Sequence, residues 1–177
     1  MVRPGRNRLF GTVEVDETYI GGTRPGKRGR GAAHKSLVVI AVEDKNNHLG
    51  RIRLHRVPDA SAKSLIPAVQ DSVEPESIIR TDDWNGYRGL ATLGYEHIIA
   101  RQSENIGENL LPLVNRVTAL LKRWLQGTHQ GAIQASHLDY YMDEFTSRSR
   151  GKLFYRLIQQ AVSIGPIKGK DIHGSQH

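Results

Sequence analysis

Asp16 and Asp82 are the residues of this sequence whose type and placement best suit chemistry. Asp16 lies midway along Gly11 to Ile20, a β-branched, alternating stretch that reads as a strand, and Asp82 closes a shorter one, Ser77 to Asp82. If the two strands are neighbours in a sheet, their carboxylates converge at one edge. Converging carboxylates repel unless a cation lies between them. Oxygen ligands, in a chain with no cysteine, select Mg²⁺ or Mn²⁺ over zinc. Two such ions about 3.5–4 Å apart can activate a water and stabilise the departing oxygen of a phosphodiester. The plainer alternative is a solvated strand acid at 16 and a helix cap at Asp82-Asp83-Trp84. On an extended backbone only one of Asp82 and Asp83 can face the ions. Asp82 is expected in that role, with Asp83 as the N-cap of the next helix.

A helix is expected over Leu110 to Leu125, with Leu120, Leu121 and Leu125 toward the core. Asn115 and Lys122 are seven residues apart, hence two turns along one face. An amide carbonyl can complete a metal shell and a lysine can hold a phosphate; the alternative is a solvated polar face. Between residues 24 and 35 stand Arg24, Lys27, Arg28, Arg30 and Lys35, with no acid and with glycines at 26, 29 and 31. Such a segment can approach a phosphate chain closely, or remain a solvated loop. If all five cations met phosphates, its log–log salt slope would be about −4 to −5.

The elements that must position these groups follow from the hydrophobic pattern. In Gly11 to Ile20, Val13, Val15 and Glu17 share one face, and Glu14, Asp16 and Thr18 the other. Leu37 to Val42 is a continuous apolar run, as in a strand covered on both faces. Asp44 to Asn47 makes a turn, and Gly50 to Val57 alternates as a third strand. Ala60 to Val73 has helical spacing despite Pro67. After Ser77 to Asp82 come a helix over Trp84 to Leu93, a strand over Tyr95 to Ala100, and helices over Leu110 to Leu125, His137 to Thr146 and Leu153 to Ile164. The class is α/β: a three-strand antiparallel meander, then alternating helix and strand, then extra C-terminal helices. That order is the order of an RNase H-like mixed sheet, in which the strands of Asp16 and Asp82 are neighbours. The organisation expected is a basic tail over 1–10, one domain over 11–164 and a flexible tail over 165–177.

The bulk properties agree with a protein that meets a polyanion. Across 177 residues, 25 Lys and Arg against 18 Asp and Glu give a formal charge of +7. Such an excess favours nucleic acid through Coulomb attraction and counterion release. No apolar run is long enough to span a membrane, and no secretory signal opens the chain, so a cytoplasmic protein is expected.

Four blocks, in order, make the sequence resemble a known family. They are Val15-Asp16-Glu17-Thr18-Tyr19-Ile20-Gly21-Gly22; Thr81-Asp82-Asp83-Trp84-Asn85-Gly86-Tyr87; Leu120-Leu121-Lys122-Arg123-Trp124-Leu125 with Gly127-Thr128-His129-Gln130-Gly131; and Asp143-Glu144-Phe145-Thr146. The chain resembles a bacterial insertion-sequence transposase of the DDE superfamily, from the branch headed by a zinc ribbon. The resemblance implies Asp16 and Asp82 as metal ligands, Asn115 as the third metal position, and Lys122 as the lysine that follows it. It implies two Mg²⁺ or Mn²⁺ ions, cleavage at element ends to free a 3′-OH, and transfer of that 3′-OH to target DNA. Arg24, Lys27, Arg28, Arg30, Lys35, Lys122 and Arg123 are the expected DNA contacts, with the protein acting as a homo-oligomer on DNA, associated with the nucleoid. The ribbon and its cysteines are not in this chain, so recognition of element ends is not expected of it alone. Two rivals remain: a purely hydrolytic nuclease on the same fold, and a catalytically silent DNA-binding relic.

Overall fold

The computed structural model describes residues 7–21, 35–101, 109–129 and 135–148. Its centre is a five-stranded sheet: β1 (Thr12–Ile20), β2 (Ser36–Asp44), β3 (Leu49–Val57), β4 (Ile78–Thr81) and β5 (Glu96–Ile99), in the order β3-β2-β1-β4-β5. β1 pairs antiparallel with β2, and β2 with β3. β4 lies parallel to both β1 and β5. This is the mixed sheet expected from the alternation, with the strands of Asp16 and Asp82 side by side. The turn from Asp44 puts Asn46 and Asn47 at positive φ, a conformation that asparagine tolerates better than most residues.

Successive residues of a strand face opposite sides, so β2 feeds two cores. Leu37, Val39 and Ala41 join Val13, Val15 and Ile79 beneath α1 (Ala62–Ser72) and a 3-10 helical run, Asn85–Leu93. Val38, Ile40 and Val42 join Val114, Val117, Leu121 and Leu125 of α2 (Pro112–His129), with Leu138, Met142 and Phe145 of α3 (Leu138–Arg148). Pro112 stands at the first helical position, where its missing N–H costs no hydrogen bond. Pro67 inside α1 is on the exposed face, so the carbonyl it leaves unpaired meets water.

Three features differ from the expectation. Leu9, assigned to the basic tail over 1–10, is wholly buried and bridges Val73; its N–H donates to the Ser72 carbonyl at 2.8 Å, and its carbonyl accepts from Glu74 N–H at 2.8 Å. The packed part of the domain therefore begins before residue 11. The helix after Trp84 winds as 3-10, and Gly86 and Gly89 let it lie hard against α1. A Cβ at either would come within 2.7 Å of Leu65 or Ile66. β4 ends at Thr81, which leaves Asp82 just beyond the strand. The helix expected over Leu153 to Ile164 and the flexible tail expected over 165–177 lie outside the described residues.

Candidate active site

β1 and β4 carry their acids in matching positions. Glu14 and Arg80 are register partners, Asp16 stands two residues beyond Glu14, and Asp82 two beyond Arg80. Period-two alternation thus sends Asp16 and Asp82 toward the face that α2 covers. Asp16 is half-buried; its Oδ1 accepts Glu17 N–H at 2.8 Å. Asp82 Oδ1 accepts Trp84 N–H at 3.1 Å. Each carboxylate therefore has one oxygen fixed by the local backbone, and among the described residues the other accepts no hydrogen bond. The Asp16 carboxyl is pushed up to about 7, first by burial and then by the charges of Glu17 and Asp82, against the Glu17 N–H and the Lys122 ammonium. Asp16, Asp82 and Lys122 thus share one electrostatic environment.

The loop after β4 is built to hold Asp82. Thr81 Oγ1 donates to the Asp82 carbonyl at 2.8 Å and is 2.8 Å from His97 Nε2. Trp84 Nε1 donates to the Ala60 carbonyl at 2.8 Å, pinning the loop to the start of α1. A Cβ on Gly86 would lie 2.7 Å from Leu65 Cδ1 and 2.9 Å from the Ala60 carbonyl, so only glycine fits beneath that tryptophan. Fully buried Tyr87 donates its hydroxyl to Glu17 Oε2 at 2.7 Å, tying the loop back to the strand of Asp16. Asp83 is not the expected N-cap. The residue before the 3-10 run is Trp84, which makes no side-chain cap, and the turn-closing acceptor is Asp82. Asp83 instead pairs with Arg88 at 3.7 Å and Arg101 at 3.5 Å.

α2 presents its polar stripe as the seven-residue spacing requires, with Asn115, Lys122 and Arg123 exposed and Val114, Val117, Leu121 and Leu125 buried. Leu120 is only partly buried against that core. Asn115 Nδ2 donates to Asn109 Oδ1 at 2.6 Å, and the two amides line an open hollow with Asn47, Pro112, Leu113 and Arg116. The described hydrogen-bond partners of Asn115 are Asn109 and the Leu111 carbonyl, not either aspartate. Among the described residues no group of three or more His, Cys, Asp or Glu gathers as a metal cluster. Lys35 is exposed just before β2; Arg24, Lys27, Arg28 and Arg30 lie outside the described residues.

Sequence reasoning missed Glu14 and Arg80. Glu14 is fully buried, and its Oε2 accepts Leu113 N–H at 2.8 Å and Val114 N–H at 2.9 Å at the start of α2. Burial raises the Glu14 carboxyl, while those two amides and Arg80 oppose the rise. The available signal was spacing: a charged residue two before each aspartate faces the same side of the sheet.

The family model of the ISXO2-like transposase domain matches residues 8–149. Among solved structures the chain is similar to one in the cryo-EM structure of the simian T-cell lymphotropic virus intasome in complex with PP2A regulatory subunit B56 gamma. The TM-score is 0.50 and the identity 16%, over 77% of this chain and 49% of that one. The present chain thus spans about half the length of that relative. No curated protein sequence matches it. The strand order and this likeness together identify the fold as RNase H-like.

Proposed function

Because the chain belongs to the ISXO2-like transposase domain family, we propose that it cuts DNA at the ends of an insertion sequence and joins the freed 3′-OH to target DNA, with divalent metal ions. The observation that carries this reading is the placement of Asp16 on β1 and of Asp82 just past the end of the adjacent parallel β4, with Lys122 acting on Asp16. Half-buried Asp16, pushed up partly by its acidic neighbours, is an environment that a cation would relieve. The donors are oxygens, which suits Mg²⁺ or Mn²⁺. When bound, two such ions stabilise the attacking and departing oxygens of an in-line displacement at phosphorus.

The residues of the chain supply the rest. Asp16 and Asp82 would hold the ions through the oxygens that their backbone hydrogen bonds leave over. Asn115, with its Nδ2 engaged by Asn109, would offer its carbonyl oxygen as the third protein ligand. Lys122 would attract the phosphate beside Asp16, and Arg123, Lys35 and the basic segment with Arg24, Lys27, Arg28 and Arg30 would hold the backbone on either side. Such contacts fix position without reading sequence. Because an element has two ends, two or more copies would act together on DNA in the cytoplasm. No helix among the described residues is long and apolar enough to cross a membrane.

The test is incubation of the 177-residue chain with supercoiled plasmid and labelled 3′-OH oligonucleotide in Mn²⁺. Metal-dependent nicking and covalent joining, both lost in Asp16→Asn and Asp82→Asn, are expected. Nicking without joining would leave a hydrolytic nuclease, and no metal-dependent change to the DNA would leave a binding relic. Equal activity in the Asp16→Asn protein would remove Asp16 from the site.

A further inference from the structure

Behind the two aspartates lies a second pair of charged residues. Glu14 and Arg80 are register partners on β1 and β4, and each precedes an aspartate by two residues on the same face. Their side chains converge on the start of α2. Glu14 Oε2 receives the N–H groups of Leu113 and Val114, while Arg80 Nη2 donates to the Leu110 carbonyl at 3.3 Å. Arg80 Nη1 faces Glu14 Oε1 at 3.6 Å, and that oxygen accepts no hydrogen bond from the described residues.

The first turn of a helix has N–H groups with no partner inside the helix, ordinarily capped by a nearby side chain of the same segment. Here the acceptor comes from a strand roughly a hundred residues earlier. A local cap would fix only the helix end; this one fixes that end to a particular point on β1. Arg80 does the same from β4 by holding the residue that enters the helix. Asn115 follows Val114 directly, so this four-part contact also fixes the turn of α2 that carries it.

We infer that Glu14 and Arg80 are positioning residues: they lock the start of α2, and hence Asn115, at a fixed distance from the strands that present Asp16 and Asp82. The inference rests on the proposed metal-binding reading of those aspartates and of Asn115. A group that acts through another in this way leaves the ligands in place when it is removed, but spoils their geometry. Outer partners of metal ligands commonly change affinity on the order of tenfold or more.

The experiment uses the 177-residue chain and Mn²⁺ alone, by calorimetry, together with amide hydrogen exchange of α2. Glu14→Ala should speed exchange at Leu113 and Val114 and weaken Mn²⁺ binding on the order of tenfold. In an Asn115→Ala background the same change should add no more than about twofold, because both act through one ligand. Glu14→Gln, which keeps an acceptor oxygen, should restore most of the protection and affinity. If Glu14→Ala does not fold, Glu14→Met with Arg80→Met removes both charges at similar volume and should give the same exchange and affinity changes. Faster exchange with unchanged Mn²⁺ affinity overturns the positioning role alone. Mn²⁺ binding that is also indifferent to Asp16→Asn overturns the metal reading, and the positioning role with it.

Discussion

Asp16 and Asp82 each stand two residues beyond a register pair, Glu14 and Arg80, on strands that run parallel side by side. The arrangement repeats a charged pair along one face: acid with base first, then acid with acid. The first pair is self-compensating. The second is not, and Lys122 partly offsets it at Asp16.

The uncompensated pair should cost stability when no metal is bound. The Asp16 carboxyl is raised from its ordinary value to about 7 by burial, aided by Glu17 and Asp82. A raised carboxyl keeps its proton in the folded state where the unfolded chain has lost it. Its contribution therefore favours folding at low pH and is lost as pH rises through about 7. At full strength the shift corresponds to about 4 kcal/mol. Partial solvent access lowers this, and Asp16→Asn is expected to stabilise the metal-free protein at pH 8 by roughly 1–2 kcal/mol. At pH 4 the gain should be near zero. Denaturant titrations at both values check it; an equal gain at pH 4 and pH 8 would mean that packing, not ionisation, is responsible.

Gly86 should tolerate no side chain. A Cβ there would meet Leu65 Cδ1 at 2.7 Å, the Ala60 carbonyl at 2.9 Å and Trp84 Nε1 at 2.9 Å. Leucine can swing aside; a carbonyl already bonded to that indole cannot. Gly86→Ala is expected to destabilise by about 1–3 kcal/mol and to weaken Mn²⁺ binding, since Trp84 N–H orients Asp82. Thermal unfolding and calorimetry on one sample read both effects. Loss of stability with unaltered metal affinity would show that the loop can shift without moving the carboxylate.

Strands β1 to β3, α1 and the neighbourhood of Asp16 and Asp82 were legible in the sequence because alternation, helical spacing and turn residues act locally. The 3-10 winding of Asn85–Leu93 and its close packing against α1 were not, since that packing is a contact between elements and not a local pattern. Leu9 looked like one apolar residue in a basic tail, and only its bridge to Val73 makes it core. Asp83 lost the capping role because β4 ends early enough for Asp82 to accept from Trp84. The Glu14–Arg80 contact joins three segments remote in sequence, and no local pattern encodes such a meeting.

Glu43 should set part of the acid sensitivity of the fold. Burial alone would raise its carboxyl, but hydrogen bonds from the Arg51 side chain, Arg51 N–H and Phe10 N–H outweigh burial and hold it at about 2. A lowered carboxyl contributes stability that is present above its unfolded value near 4.5 and is lost as pH falls through about 2. Glu43→Gln is expected to cost about 2 kcal/mol at pH 7, in the range for hydrogen bonds to a charged group. The difference from wild type should shrink steadily between pH 4.5 and pH 2. A difference independent of pH would assign the effect to lost packing.

Asn115 decides how much charge the protein itself brings to the metals. Two divalent ions carry +4, Asp16 and Asp82 return −2, and an amide adds nothing. More of the compensation therefore falls to the DNA phosphate than an all-acid site would leave it. Binding free energies are reciprocally linked, so Mn²⁺ should bind weakly to the free protein and more tightly in the presence of DNA. Asn115→Glu is expected to tighten Mn²⁺ binding without DNA by about tenfold, roughly 1.4 kcal/mol, and to reduce the further gain that DNA confers. Asn115→Ala should weaken Mn²⁺ binding to about the extent expected of Glu14→Ala, on the order of tenfold, and lower the cleavage rate with it, since both changes act through the same neutral donor. Asn109, which accepts from Asn115 Nδ2, can turn its own amide toward a glutamate at 115, so the substitution need not disturb the helix. Calorimetric titration of Mn²⁺ into wild type and Asn115→Glu, with and without a short duplex, measures all four affinities. Equal values for the two proteins would place Asn115 outside the metal shell.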